Sequence, residues 1–278
     1  MNSKLFACLK LCRPVNILIG AATVFIGVVL TQKFRPLMNV VLACASGSLI
    51  MAAGNALNDV FDREIDQINK PQRPIPSGEL TPEAAAILSV ILFVLGIYLS
   101  ILINFWAVVI AVCASMVLFL YDAFLKRVCC IGNVLVSLLT AFAFLYGAVA
   151  VGKWYAAIFP AVFAFLFHLG REIIKDVEDE AGDKVYSAKT LPIKYGKKVA
   201  LLTATVVYVL LIILTFVPYY FHIYNQYYFW MVLFGVDMVL AATIFFLWGF
   251  YSKTMFQRIS LVLKADMVVG LLAIYVGV

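Results

Sequence analysis

Long apolar runs separated by short polar stretches fill the whole chain. Nine can be marked, near residues 15–31, 40–57, 83–103, 105–121, 132–150, 154–175, 199–218, 228–249 and 265–278. Most approach the roughly 20 residues an α-helix needs to cross about 30 Å of hydrocarbon. The stretch 83–121 is apolar throughout and too long for one crossing, and Asn104 is the polar position that divides it. The last run is the shortest. The pattern predicts an all-α polytopic membrane protein of nine transmembrane helices with short loops, a single domain over 1–278. It also predicts no cleavable leader, because the first apolar run continues into a full-length span.

Composition sharpens this reading. Hydrophobic residues make up 65% of the chain and charged residues 13%, against about 45–50% and about 25% in soluble domains. Too few charges remain to build a water-facing surface, which excludes a soluble enzyme, a disordered chain and a nucleic-acid binder. Cys8, Cys12, Cys44, Cys113, Cys129 and Cys130 lack CxxC spacing and a His cluster. They read as small buried apolar residues rather than disulfides or metal ligands.

The net charge of +6 matters less than where the cations fall. With the N-terminus in the cytoplasm, 18 of the 21 Lys and Arg residues lie on the cytoplasmic side. Only Lys33, Arg35 and Lys153 lie outside. The bias sets the expected orientation and agrees with the helix count.

The 15 acids are clustered. Six lie between Asp59 and Glu83 and six between Glu172 and Asp183, leaving Asp122, Asp237 and Asp266 elsewhere. Both clusters fall at the cytoplasmic end of a span, the second and the sixth. Asn58, Asp62 and Asp66 are spaced i, i+4 and i+8, and Asp176, Asp179 and Asp183 i, i+3 and i+7, so each set shares one helix face. Like charges stacked on a face repel, and oxygen-only donors suit Mg²⁺, which shares its remaining positions with substrate phosphate. Solvated loop acids are the bland alternative for either cluster alone. Two matched clusters on one side favour a metal-held diphosphate.

Cations lie beside both clusters. The loop Gln67–Gly78 carries three prolines, which restrict it, with Arg73 between Gln72 and Pro74. The loop from Glu180 to Lys198 carries five lysines, which a positive-inside loop explains equally well. Arg73 is therefore the better phosphate-binding candidate.

The run Asn58-Asp59-x-x-Asp62-x-x-x-Asp66, with Arg73-Pro74-Ile75-Pro76-Ser77-Gly78 after it, resembles the first Asp-rich motif of the UbiA-type intramembrane prenyltransferases. Gly170-Arg171-Glu172-Ile173-Ile174-Lys175-Asp176-Val177-Glu178-Asp179 to Asp183, followed by Lys189-Thr190-Leu191-Pro192, resembles the second. Within that family it looks more like the ether-lipid enzymes than like chlorophyll synthase. Arg13-Pro14-Val15-Asn16 at the first span fits as well. The resemblance covers nearly the whole chain. It implies nine helices around a central cavity, capped on the cytoplasmic side by Asp-rich loops. It implies Mg²⁺-dependent transfer of a prenyl group from a prenyl diphosphate to a lipid-soluble acceptor within the bilayer. The metal and diphosphate ligands it implies, the catalytic set, are Asn58, Asp62, Asp66, Asp179 and Asp183. Asp59 and Asp176 are supports or further ligands. Substrate-binding roles are implied for Asn16, Arg63, Arg73, Tyr121, Lys126, Arg127, Lys175 and Asp176. Many members have Tyr-x-x-x-Lys after the fourth span. Here Lys126 comes one residue late, which leaves Lys126 and Arg127 as alternatives.

In this reading the acceptor is a glycerol-phosphate ether and the donor a geranylgeranyl diphosphate. An aromatic or tetrapyrrole acceptor is the rival within the enzyme class. A secondary transporter is the rival outside it, disfavoured because the acids lie at one boundary rather than at the midplane. Phe119, Tyr121, Phe142, Phe144, Tyr146, Phe163 and Phe167 are candidates for lining an isoprenoid tunnel, though ordinary packing is the commoner role for any one of them. His168, four residues before Glu172, reads as a structural hydrogen-bonding group, and His222 as a solvated loop residue. Asp237 lies mid-span, either functional or in a buried polar pair.

Overall fold

The computed structural model describes residues 2–126, 128–185, 189–249 and 252–278. They form helices joined by short connections, in two compact units: 1–124 with 142–157, and 125–141 with 158–278. Among the described residues, eight helices are long and apolar enough to cross a membrane, and a ninth is possible if one bent pair forms a single span.

The first unit contains α1 (Asn2–Cys12), α2 (Pro14–Val29), α3 (Leu37–Phe61), α4 (Arg63–Asn69), α5 (Pro82–Ile101), α6 (Phe105–Leu120) and the second half of α7 (Ile131–Ala150). The expected span 15–31 is corrected here. Its helix, α2, has 16 residues and reaches only about 24 Å. It follows α1 across a 46° bend, and the two together pass as one span. The break falls at Arg13, whose backbone is left-handed (φ 55°, ψ 74°), directly before a proline that disfavours helical geometry in the residue preceding it.

Helix α3 is the hub of this unit. Its buried positions include Ala43, Ser46, Ala52, Ala53, Gly54 and Ala56, small side chains that let neighbouring backbones come close where lipid supplies no hydrophobic driving force. The polar members of these contacts are satisfied across helices. Ser46 donates to the Gly96 carbonyl at 2.7 Å and receives the Tyr146 hydroxyl at 2.7 Å, and Ser89 donates to the Ala53 carbonyl at 2.9 Å. Helices α2 and α7 cross at glycines: a Cβ on Gly27 would run into the Phe144 carbonyl, and one on Gly147 into the Val24 carbonyl. Asn104 does divide the long apolar run. It caps α6 by accepting from Ala107 N–H at 2.9 Å, and its amide donates to the Val149 carbonyl at 3.0 Å. On α5, Ile87, Val90, Ile91, Val94, Leu95 and Tyr98 are all exposed. They form a stripe at helical spacing that only lipid covers favourably.

The second unit holds the first half of α7, then α8 (Ile158–Val185), α9 (Leu191–Tyr195), α10 (Lys197–Thr215), α11 (Val217–Tyr220), α12 (Gln226–Met231), α13 (Met238–Gly249) and α14 (Lys253–Gly277). A π-helical turn, Val232–Asp237, joins α12 to α13. Asn225 caps α12 through Tyr227 N–H (2.9 Å) and Tyr228 N–H (3.2 Å), and its amide donates to the Val276 carbonyl at 2.8 Å, fastening the end of α14. The last span is longer than its sequence pattern: α14 has 25 residues rather than the short run 265–278. Lys253, Arg258 and Lys264 interrupt its first half and hide it from a hydropathy reading.

Candidate active site

The first acid set stands where α3 passes into α4. Asp62 ends α3 with bridge-region backbone angles (φ −89°, ψ 4°). Hydrogen bonding nonetheless continues, from Asp62 N–H to the Asn58 carbonyl at 2.9 Å and from Asp66 N–H to the Asp62 carbonyl at 2.8 Å. The i, i+4, i+8 spacing of Asn58, Asp62 and Asp66 therefore survives the junction. Their surroundings differ. Asp62 and Asn58 are half-exposed, whereas Asp66 is buried, as is Asp59.

Two guanidinium groups hold the buried acids. Arg13 donates to Asp59 and, at 3.2 Å, to Asn58 Oδ1. Arg73 donates to the same Asp59 oxygen at 3.0 Å and to Asp66. Asn58 then passes its amide to Asp122 Oδ1 at 2.7 Å. Burying a carboxylate is costly unless it is paired and hydrogen-bonded, and Asp59, 2% exposed, has both arginines. Arg73, the expected phosphate-binding cation, is thus bonded to the acids. Its loop is fixed by the buried Pro74 and by Ile75 and Leu80, which pack with Ala7, Leu11, Ala56 and Ala85. Lys10 reaches across to the Gln72 carbonyl at 2.6 Å.

The other candidates of this unit are more open. Asn16 is exposed one turn after Arg13, and Arg63 is exposed beside Glu64 at 3.9 Å. Tyr121 is half-exposed and begins a π-helical turn, Tyr121–Leu125. A π turn bonds i to i+5 and takes up one extra residue. The lysine that sequence comparison places one residue late, Lys126, therefore follows a turn with one residue to spare. Arg127 lies outside the described residues.

The second acid set lies on α8, helical from Ile158 to Val185 as its spacing requires. Asp176 accepts from the Asn133 amide at 2.8 Å, and Glu178 from the Ser260 hydroxyl at 2.8 Å. Lys175 and Asp179 are exposed. The Asp183 side chain lies outside the described residues. One to two turns earlier on α8, Arg171 donates to Glu172 at 2.7 Å. His168 Nδ1 is buried and has no partner among the described residues, so none of them makes the expected hydrogen bond at that atom. Tyr208 Oη and both oxygens of Asp266 are likewise buried with no partner among the described residues. Asp237, on the second π turn, accepts from the Thr215 hydroxyl at 3.1 and 3.2 Å, which is the buried-pair alternative of its sequence reading.

Among the described residues no three His, Cys, Asp or Glu side chains converge on one metal position. By donor chemistry, the oxygens of Asn58 and Asp62 in the first unit, and of Asp179 in the second, are hard ligands, and none of the three side chains is fully buried, which fits Mg²⁺.

The UbiA prenyltransferase family model matches residues 20–263. The chain belongs to the UbiA prenyltransferase family. Over 268 residues it is 40% identical to the digeranylgeranylglyceryl phosphate synthase of Methanopyrus kandleri, covering 96% of this chain and 97% of that protein. The protein of the same name from Methanocaldococcus jannaschii is 38% identical over 280 residues, covering 99% of this chain and 96% of that one. A solved structure of a digeranylgeranylglyceryl phosphate synthase superposes with a TM-score of 0.89 at 36% identity, over 100% of this chain and 99% of that one. A UbiA homolog from Archaeoglobus fulgidus, bound to GPP and Mg²⁺, shares the fold at 19% identity, with a TM-score of 0.69 and coverage of 96% and 99%. The chain is accordingly a multi-pass membrane prenyltransferase.

Sequence reasoning on this UbiA member missed Arg13, Asp122 and Asn133 as partners of the acids. Arg13 had a signal: a basic residue just before a proline at the head of an apolar run. Asp122 had one too, as an isolated acid at the end of a span next to Tyr121. Asn133 had none.

Proposed function

We propose that this chain transfers a geranylgeranyl group from geranylgeranyl diphosphate to geranylgeranylglyceryl phosphate, forming the second ether of digeranylgeranylglyceryl phosphate, with Mg²⁺. The observation that carries this reading is the 40% identity to a digeranylgeranylglyceryl phosphate synthase along nearly the full length of both chains. In this reading Asn58, Asp62, Asp66, Asp179 and Asp183 serve the metal–diphosphate, and Asp59 and Asp176 support them. Mg²⁺, when bound, neutralises the diphosphate and makes it a better leaving group.

The chain's own residues do the rest. Arg13 holds Asp59, and Arg73 holds both Asp59 and Asp66, which fixes the backbone that aims Asn58 and Asp62. The allylic C–O bond of the donor breaks, the acceptor's glycerol oxygen bonds to the carbon left behind, and its proton is released. Lys126 stabilises the departing diphosphate charge. The π turn before Lys126 supports choosing it over Arg127. A hydroxyl attacking an allylic cation needs little basic assistance, so no poised histidine is required. The N-terminus and both acid sets face the cytoplasm of the cell membrane, a reading supported by the cation bias.

The test is purified protein with Mg²⁺, geranylgeranyl diphosphate and a panel of acceptors, read by mass spectrometry. Digeranylgeranylglyceryl phosphate is the expected product. Prenylated aromatic acid without any diether phosphate overturns the acceptor assignment.

A further inference from the structure

Between the π turn at Tyr121–Leu125 and helix α7 lie two adjacent cysteines. Their sulfurs stand 3.5 Å apart and both side chains are half-exposed. Cys130 has a left-handed backbone (φ 64°), a conformation disfavoured for a residue with a Cβ. Its carbonyl accepts from Val134 N–H at 3.0 Å and so opens the first turn of α7. Asn133 belongs to that same turn and donates to Asp176 at 2.8 Å. The pair is thus one helical turn from a residue that holds an acid of the second set.

The sulfurs are in van der Waals contact, and what such a pair can take depends on the backbone that joins them. A disulfide between adjacent residues has to close across Cα atoms about 3.8 Å apart, short of the usual range of about 4.4–6.8 Å. Two sulfurs bound at about 2.3 Å to a tetrahedral centre stand roughly 3.8 Å apart, and a pyramidal three-coordinate centre with angles near 100° brings them to about 3.5 Å. Burial, then the contact with Cys129, pushes the Cys130 thiol up to about 11. That disfavours the thiolate needed for disulfide exchange and for charged dithiolate complexes of divalent metals. A trivalent arsenic centre forms a neutral adduct with two thiols.

We propose that Cys129 and Cys130 form a vicinal dithiol site that captures trivalent organoarsenicals, and that an occupant slows prenyl transfer through Asn133 and Asp176. The condensation balances without an oxidant: an arsenic–oxygen group and two thiols give two arsenic–sulfur bonds and one water. The second half of the proposal rests on the functional reading above; the first does not.

The probe is phenylarsine oxide, added to the full-length protein in detergent and followed by intact mass spectrometry. One phenylarsenic group should add with loss of one water, and come off with dimercaptopropanol but not with a monothiol. Cys8 and Cys12, one turn apart on α1, are the rival pair, so Cys12→Ser should keep the adduct. Cys129→Ser and Cys130→Ser should each lose it while melting as the wild type does. An adduct that survives Cys130→Ser, or vanishes in Cys12→Ser, overturns the site. Prenyl transfer should fall roughly 3- to 30-fold in the adduct and recover with the dithiol. Unchanged transfer in the fully labelled protein overturns the coupling. If unlabelled protein transfers no prenyl group to any acceptor, the functional reading fails, while the mass measurement still decides the site.

Discussion

Arg13 donates a hydrogen bond to Asp59 from a left-handed break between two helices, across 46 residues of sequence. The contact ties the bend of α1 and α2 to the last turn of α3, and Arg73 reaches the same oxygen from the proline-rich loop. Arg13→Gln leaves a buried acid with one cation instead of two and Asn58 without its donor. The expected loss is about 2–4 kcal/mol, read as a lower melting temperature in detergent, together with a large fall in turnover. Arg13→Lys should recover part of the loss, because both bonds leave one nitrogen, Nη2, and an ammonium that reaches that position has protons for both acceptors. Wild-type melting and turnover in Arg13→Gln would show that the network does not support the acids.

Removing Mg²⁺ with EDTA should abolish prenyl transfer, and Mg²⁺ should restore it. Asp62→Ala and Asp179→Ala should each lose turnover with little change in melting, because Asp62 is half-exposed and Asp179 exposed. Full activity in EDTA would sink the two-cluster reading.

The crossing of α2 and α7 leaves no room for a side chain at Gly27. Gly27→Val forces the helices apart, at a cost of roughly 1–3 kcal/mol or more for overpacking, seen as poor recovery of folded protein. Gly249→Ala, where an added Cβ meets none of the described residues within 4 Å, is the control and should melt within about 0.5 kcal/mol of wild type.

Tyr208 is fully buried, and its hydroxyl has no partner among the described residues. An unsatisfied buried hydroxyl costs about 1–3 kcal/mol. Tyr208→Phe keeps the ring and removes that cost, so it should melt at or above the wild-type temperature. A clear drop in melting temperature would mean that the hydroxyl bonds an ordered water or another group.

Ser77 is exposed in the proline-rich loop. In a background lacking the native cysteines, Ser77→Cys should react with a membrane-impermeant maleimide only after the cells are opened. Labelling of intact cells would reverse the orientation drawn from the cation bias.

Much of the fold was legible because lipid imposes a simple rule: every span must be long, apolar and helical. The division at Asn104 could be read for that reason, and its side chain does cap α6. Helix α1 was not legible, since Lys4 and Lys10 look like an ordinary cytoplasmic flank until the packing of Ala7 and Leu11 against the proline-rich loop is seen. In the acid sets, spacing revealed the shared helix faces. It could not tell Asp62, left half-open, from Asp66, buried on Arg73, because that difference depends on a cation seven residues further along in a loop.

The π turn at Tyr121–Leu125 bears on how such a chain tolerates changes in length. One residue inserted into an α-helix rotates every later position by about 100°, enough to swing a catalytic side chain from one wall to another. Widening a single turn confines that rotation to five residues. Deleting one residue from this segment should tighten the turn to an ordinary helix and leave everything after it in phase. Deleting one from the unbroken middle of α6 has no slack to draw on, and the whole remainder of the helix would turn.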